Sequence, residues 1–366
     1  MKTVFPLLAA ALCAAGPLFA QTVNGDYVPE VRRATPVDVG LFKQEDSSDV
    51  DTASQFIAGL RPASGPLAEL ADAPEWKSYA RELDSAWQSF DTSRLLPIRN
   101  WVPQTLPGFR PETVFYPFSG PDYIYARTYF PDATTYVLCG LEPAGVAPSL
   151  QNVQPLALTL GWMRLSTKTF LEAGYFVTKE MRVQFKQSPL QGTVPVICLM
   201  MARSGDRILS VKTDATHAEI RFSALGENRV RTLHYFSVNL ANDALRKNKS
   251  FLDFVAHLRP DTGYLKSASY LLHENEFSLI RDTILANCPA VLQDDSGIPM
   301  RAFDPTRWNL AAFGVYANPL DIFKKYTQPD LAAFYEAHPS ARLPFGVGYH
   351  WDPKTANLML ARRPAQ

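Results

Sequence analysis

Residues 113–145 read TVFYPFSGPDYIYARTYFPDATTYVLCGLEPAG, and the fold is decided by how this stretch is parsed. Val114, Phe115, Tyr116 and Phe118 make a short apolar and aromatic run. Ser119-Gly120-Pro121-Asp122 breaks it, since Gly and Pro punctuate regular structure and Ser and Asp bond to nearby backbone. Tyr123 to Phe130 can wind as a helix until Pro131 stops it. Thr135 to Leu141 then forms a second buried strand, ending at Glu142. Strand, tight turn, helix and strand in that order are a βαβ entry into an α/β fold.

Such a unit carries a candidate binding site. A helix N-terminus behind Ser-Gly presents free backbone N–H groups and a positive dipole end to an anion. Glu142, 22 residues after Gly120, stands where dinucleotide and adenosyl-binding folds hold ribose hydroxyls. Ser119, Gly120, Asp122 and Glu142 are therefore candidate ligand-binding residues. The same turn also has a purely structural reading: Ser119 caps the helix, Pro121 occupies its first position and Asp122 complements the dipole. A lone Gly gives less backbone approach than G-x-G-x-x-G, and Pro121 removes one donor.

Working outward, residues 1–20, MKTVFPLLAAALCAAGPLFA, have one Lys, a short apolar run and small residues before Gln21. This predicts a cleavable signal peptide and a periplasmic or secreted protein with no membrane span. Residues 21–74 mix Pro, Ala, Asp, Ser and Gly without a sustained period, which predicts a flexible leader. Residues 75–366 are expected to form a single α/β domain. Trp76, Tyr79, Leu83, Trp87 and Phe90 recur every three or four residues and predict a helix docked on the core. Residues 97–111 read as a proline-rich link, and Leu156 to Phe176 as one or two helices.

Val194 to Ala202 is uninterruptedly apolar and fits either a buried helix or a central strand. Residues 208–240 alternate apolar and polar in three runs, predicting an antiparallel meander. Residues 264–287 are the longest helical candidate, Val291 and Leu292 a short strand, and Phe345 to Leu360 a closing C-terminal hairpin.

The chain has 36 basic and 36 acidic residues with no basic run, so nucleic acid is a poor partner. Beyond the signal peptide, Cys139, Cys198 and Cys288 are an odd number in apolar surroundings, which excludes a fully disulfide-stapled scaffold. The six histidines are scattered singly, and His273-Glu274 lacks the second His of a zinc helix, so no metal centre is expected. There is no G-x-S-x-G elbow, and the residues name no cofactor.

QDDSGIP, residues 293–299, follows a strand where a carboxyl end would lie. Adjacent Asp294 and Asp295 point to opposite sides of an extended chain. One of them is a candidate general base, with Ser296 and Arg301 as candidate ligand contacts. An Asp-Ser-Gly turn also serves simply as a local backbone acceptor.

The apolar strand, glycine turn, helix and acid-ended strand of residues 113–142 resemble the first βαβ unit of Rossmann-like methyltransferases. FYPFSGPD, YVLCGLEPAG, GYFVTKEM, LKSASYLLH, QDDSGIP and FGVGYHW together resemble an uncharacterised family of exported bacterial proteins across about residues 75–363. The resemblances imply a Rossmann-like mixed sheet covered by helices, and an exported compartment. Three functional expectations follow: a protein binding a small polar ligand in a Rossmann-like cleft, a hydrolase using Asp294 or Asp295 as general base, and a structural protein with no ligand pocket.

Overall fold

A computed structural model describes residues 43–44, 47–176 and 191–364. The expected signal peptide and the first part of the expected leader lie outside the described residues. The molecule is a mixed α/β protein. Among the described residues, ten strands form one sheet in the order β1-β4-β5-β6-β3-β2-β7-β8-β10-β9. The strands are β1 (Lys43–Gln44), β2 (Thr113–Tyr116), β3 (Thr135–Gly140), β4 (Asp206–Thr213), β5 (His217–Ala224), β6 (Arg231–Ser237), β7 (Thr262–Leu265), β8 (Ala290–Gln293), β9 (Asn309–Gly314) and β10 (Asn357–Arg362).

β6, β3, β2, β7 and β8 run parallel, while the pairs on either flank are antiparallel. The opening unit forms as its sequence dictates, with β2 beside β3 and the helix Tyr123–Tyr129 between them in the chain. Each central strand is buried on both faces, and its alternation sorts side chains between two cores. Val114 and Tyr116 of β2 join the core under helices Ser47–Ile57, Pro74–Phe90, Leu156–Ala173 and Val194–Arg203. Phe115, one residue out of phase, joins the opposite core with helices Lys249–Leu258, Ser278–Asn287 and Pro329–Ala337. The apolar run at 194–202 is a helix buried on all sides, which is why its periodicity is silent. β4, β5 and β6 are the expected antiparallel meander.

Four expectations are corrected. From Ser47 onward, the expected leader is core: Phe56 and Ile57 are fully buried, Trp76 Nε1 donates to the Phe56 carbonyl at 3.0 Å, and the Tyr79 hydroxyl donates to that of Ile57. β1 pairs with β4, and Asp51 Oδ1 accepts the Ile208 N–H at 2.8 Å, 157 residues along the chain and beside a register shift between Ile208 and Ser210. The link at 97–111 is largely helical, a π-helical turn at Asp91–Leu95 running into Leu96–Thr105 with Pro97 in its first turn.

The third correction concerns 264–287, which opens with β7, passes through 3₁₀ turns and becomes helix only at Ser278–Asn287. All four residues of β7 are buried, so no strand period marks it. Finally, residues 345–351 do not pair with β10. β10 inserts between β8 and β9, and Val347 and His350 form a small bridge of their own.

Cys139, Cys198 and Cys288 are buried and unpaired, and burial pushes the Cys198 thiol up to about 12. No helix among the described residues is long and apolar enough to cross a membrane. Within Asn318–Thr327 the chain forms a 3₁₀ turn over Asp321–Tyr326.

Candidate functional site

β2 has β3 on one side and β7 on the other, and the chain reaches β7 only after passing through β3 and β6. The order of the parallel strands therefore reverses at β2, and crevices at such a reversal open at the carboxyl ends of the strands. Here those ends carry FSGPD after β2, Leu141-Glu142 after β3, Lys266-Ser267 after β7 and QDDSGIP from the end of β8.

The FSGPD turn is tied to β3 by its own backbone. Ser119 Oγ accepts the Cys139 N–H at 3.0 Å and donates to the Cys139 carbonyl at 3.2 Å, and the Gly120 N–H donates to that carbonyl at 2.9 Å. Gly120 takes φ +54, which glycine adopts without strain. The expected cap at Ser119 is absent: the helix starts at Tyr123, Asp122 holds the N-cap place, and no side chain caps it. Asp122 is turned onto β7 instead. Its Oδ2 lies 2.8 Å from Lys266 Nζ and accepts the Tyr116 hydroxyl at 2.9 Å, while Oδ1 is buried without a partner.

Lys266 is 2 % exposed. Its ammonium also donates to the Gly174 carbonyl at 3.1 Å and stands 3.5 Å over the Tyr125 ring. Burial pulls this ammonium below its ordinary pKa against the attraction of Asp122.

The next residue turns the other way. Ser267 has φ 67 and ψ −83, a region that costs a non-glycine residue of order 1–3 kcal/mol. Its N–H donates to Asp294 Oδ2 at 2.9 Å, and its Oγ is buried without a partner. Asp294 Oδ1 accepts the Ser296 N–H at 2.9 Å and the Ser296 hydroxyl at 2.5 Å. Burial, then the neighbouring charge of Asp295, raises the Asp294 carboxyl to about 6.

Asp295 faces elsewhere, as its place in the chain predicts. Its carboxylate accepts the Tyr270 hydroxyl at 2.5 Å and Asn357 Nδ2 at 3.3 Å, and lies 3.3 Å from His350 Nε2. Burial opposes charge on His350, yet the contact with Asp295 keeps its imidazole above the ordinary value. The Val347–His350 turn closes over the cluster: a Cβ on Gly348 would overlap Asp294 Oδ2 and stand 3.2 Å from Ser267 Oγ.

Two sequence candidates sit apart from this cluster. Glu142 is 1 % exposed and neighbours the FSGPD turn, because a Cβ on Gly140 would lie 2.7 Å from its Oε2 and 3.1 Å from Gly120 Cα. β2 and β7 separate its strand from β8, three strand spacings or about 14 Å. Arg301 is exposed on the 3₁₀ turn Met300–Ala302, near enough to His273 for its charge to lower that imidazole's pKa. Sequence reasoning missed Lys266, Ser267, Tyr270 and His350. A charge closing an otherwise apolar strand, Tyr264-Leu265-Lys266, is the signal that marks the first.

No family model matches the chain, and no solved structure matches it. Among curated proteins, an uncharacterized protein of Acanthamoeba polyphaga mimivirus is 30% identical over 125 residues, 28% of this chain. The chain spans 21% of the length of that relative.

Proposed function

We propose that this chain is an exported protein that binds a small polar, hydroxyl-bearing ligand in a Rossmann-like crevice at the carboxyl ends of β2, β3, β7 and β8. Counted along the parallel block, the strand order is third, second, first, fourth, fifth, the order of dinucleotide-binding sheets. This order supports carrying the methyltransferase resemblance of residues 113–142 beyond its first unit.

The observation that carries the reading is Ser267. A strained residue with an unpartnered buried hydroxyl sits at the strand-order reversal, flanked by Lys266 and Asp294. Backbone strain of this kind clusters at ligand clamps and active sites. Glu142 and Asp294, three strands apart, would grip two ends of one ligand, and the Val347–His350 turn must lift for it to enter.

A melting-temperature screen of the full exported chain against adenosine, S-adenosylmethionine, ribose and hexoses tests this. A ligand present at a hundred times its dissociation constant stabilises by about 2.7 kcal/mol, a rise of several degrees. Loss of that rise in both Glu142→Gln and Asp294→Asn is expected, and a rise unchanged in both sinks the proposal. N-terminal sequencing of the exported protein checks cleavage after Ala20.

A second reading is favoured by one observation. A carboxyl raised to about 6 is poised to accept a proton near neutral pH, so Asp294 suits the general base of a hydrolase. Turnover that rises with pH as a single carboxyl titrates, and that is abolished in Asp294→Asn, distinguishes catalysis from binding.

A further inference from the structure

β7 ends at Leu265, Lys266 follows, and Ser267 turns the chain at once into the 3₁₀ helix Ala268–His273. A serine on a sharp, strained turn from strand to helix is how α/β-hydrolases display a nucleophile. The glycines that frame such a turn in G-x-S-x-G are missing here, where Leu265 and Ser269 hold their places. The backbone makes the turn regardless, with Ser267 at φ 67 and ψ −83. That conformation is costly for any side chain, and no hydrogen bond from the buried Ser267 hydroxyl offsets it.

A serine nucleophile needs a proton acceptor beside it. Asp294, just past the carboxyl end of the neighbouring parallel strand, supplies one. A carboxylate oxygen accepts two hydrogen bonds. Asp294 Oδ1 already has two, from the Ser296 N–H and hydroxyl, whereas Oδ2 has one, from the Ser267 N–H at 2.9 Å. The open position on Oδ2 is thus next to the residue whose hydroxyl lacks an acceptor. Both atoms border Gly348: a Cβ there would overlap Oδ2 and stand 3.2 Å from Ser267 Oγ. Asp295 does not compete for the role, since the Tyr270 hydroxyl, Asn357 and His350 already occupy it.

We infer that Ser267 is the nucleophile of a carboxylic-ester hydrolase, with Asp294 as its general base. The inference rests on the crevice reading above and narrows it, the hydroxyl-bearing ligand being bound as its ester. Ser267 Oγ attacks the ester carbonyl and its proton passes to Asp294 Oδ2. The bond from the acyl carbon to the alkoxy oxygen breaks, and that proton goes on to the departing alkoxide. Water then gives a proton to Asp294 and its oxygen to the acyl carbon, the acyl–Oγ bond breaks, and the proton returns to Ser267.

Labelling of the full exported chain with diisopropyl fluorophosphate, read by intact mass and peptide mapping, tests this. In that reaction an Oγ–P bond forms, the P–F bond breaks, and the serine proton leaves with fluoride. A single adduct is expected, on the peptide that carries Ser267. Ser267→Ala removes a hydroxyl that bonds nothing, so it should keep the parental circular dichroism melt and fail to label. Ser269→Ala, at another buried serine of the same turn, should label as the parent does. Asp294→Asn should slow labelling about a hundredfold. No adduct on the folded parent, an adduct elsewhere, labelling kept in Ser267→Ala, or parental speed in Asp294→Asn overturns the inference. A ligand that raises the melting temperature of a chain that never labels would leave the crevice reading standing without the nucleophile. Labelling at Ser267 with no such ligand found would do the reverse.

Discussion

Replacing Lys266 with Met while Asp122 stays in place leaves a buried carboxylate with only the Tyr116 hydroxyl for company. The pair is among the most enclosed in the molecule, with side chains 2% and 5% exposed at 2.8 Å. Breaking such a pair on one side costs about 3–5 kcal/mol, because the stranded charge keeps its desolvation penalty. Loss of the hydrogen bond to Gly174 and of the contact over Tyr125 puts Lys266→Met toward the upper end. In Asp122→Asn/Lys266→Met both charges are gone and the Tyr116 hydroxyl keeps an acceptor. The double variant should therefore be more stable than Lys266→Met alone, with a coupling of at least about 2 kcal/mol between the two positions. Equilibrium urea unfolding at pH 7, followed by far-ultraviolet circular dichroism, measures all four corners of the cycle. If Lys266→Met lies within about 1 kcal/mol of the parent, or the double variant costs the sum of the singles, the pair does not hold β2 to β7.

Gly140→Ala should destabilise by about 1–3 kcal/mol in the same assay, since its Cβ would fall 2.6 Å from the Tyr235 hydroxyl and 3.1 Å from Gly120 Cα, which is backbone and cannot swing aside. The Asp294 carboxyl is raised from 3.8 to about 6, so the folded state holds its proton longer than the unfolded chain does. Its contribution to stability is thus greatest in acid and falls by about 2 kcal/mol as pH rises from 4 to 7. His350, raised by Asp295, falls in the same direction, whereas His234 and His273, depressed by burial to about 4, rise over that interval. The stability difference between Asp294→Asn and the parent, measured at each pH, isolates the first contribution, and a flat difference would refute it. At Ser267 with φ 67, Gly should be more stable than Ala by about 1 kcal/mol, and the reverse order in thermal melts would mean the backbone there is unstrained.

The opening βαβ unit was legible because its signals are local: an apolar run, a Ser-Gly-Pro-Asp turn and a proline stop. The meander was legible because one of its faces alternates. β7 was not, since four consecutive buried residues carry no period, and the Leu272, Ile280, Ile284 spacing beyond it reads as a helix. The C-terminal segment misled for another reason: the partners of β10 are β8 and β9, and nothing near Leu358 encodes that distant choice. At the site, Asp122, Asp294 and Asp295 stand out in punctuated turns. Lys266 and His350 gain their meaning only when strand order sets β7 between β2 and β8.

The short pairing of β1 with β4, and the Asp51 carboxylate on the Ile208 N–H, have a bearing on solution behaviour. β4 would otherwise end the sheet as an open margin, a row of backbone donors and acceptors ready to add a strand from another molecule. The register shift at Ile208, the bonded Asp51 and the two-residue strand together blunt it. Because β1 and Asp51 come from positions 43–51, proteolytic removal of the chain through that stretch would leave the register shift as the only one of the three still in place. The product would be a sticky protein prone to edge-to-edge association rather than a merely shorter one.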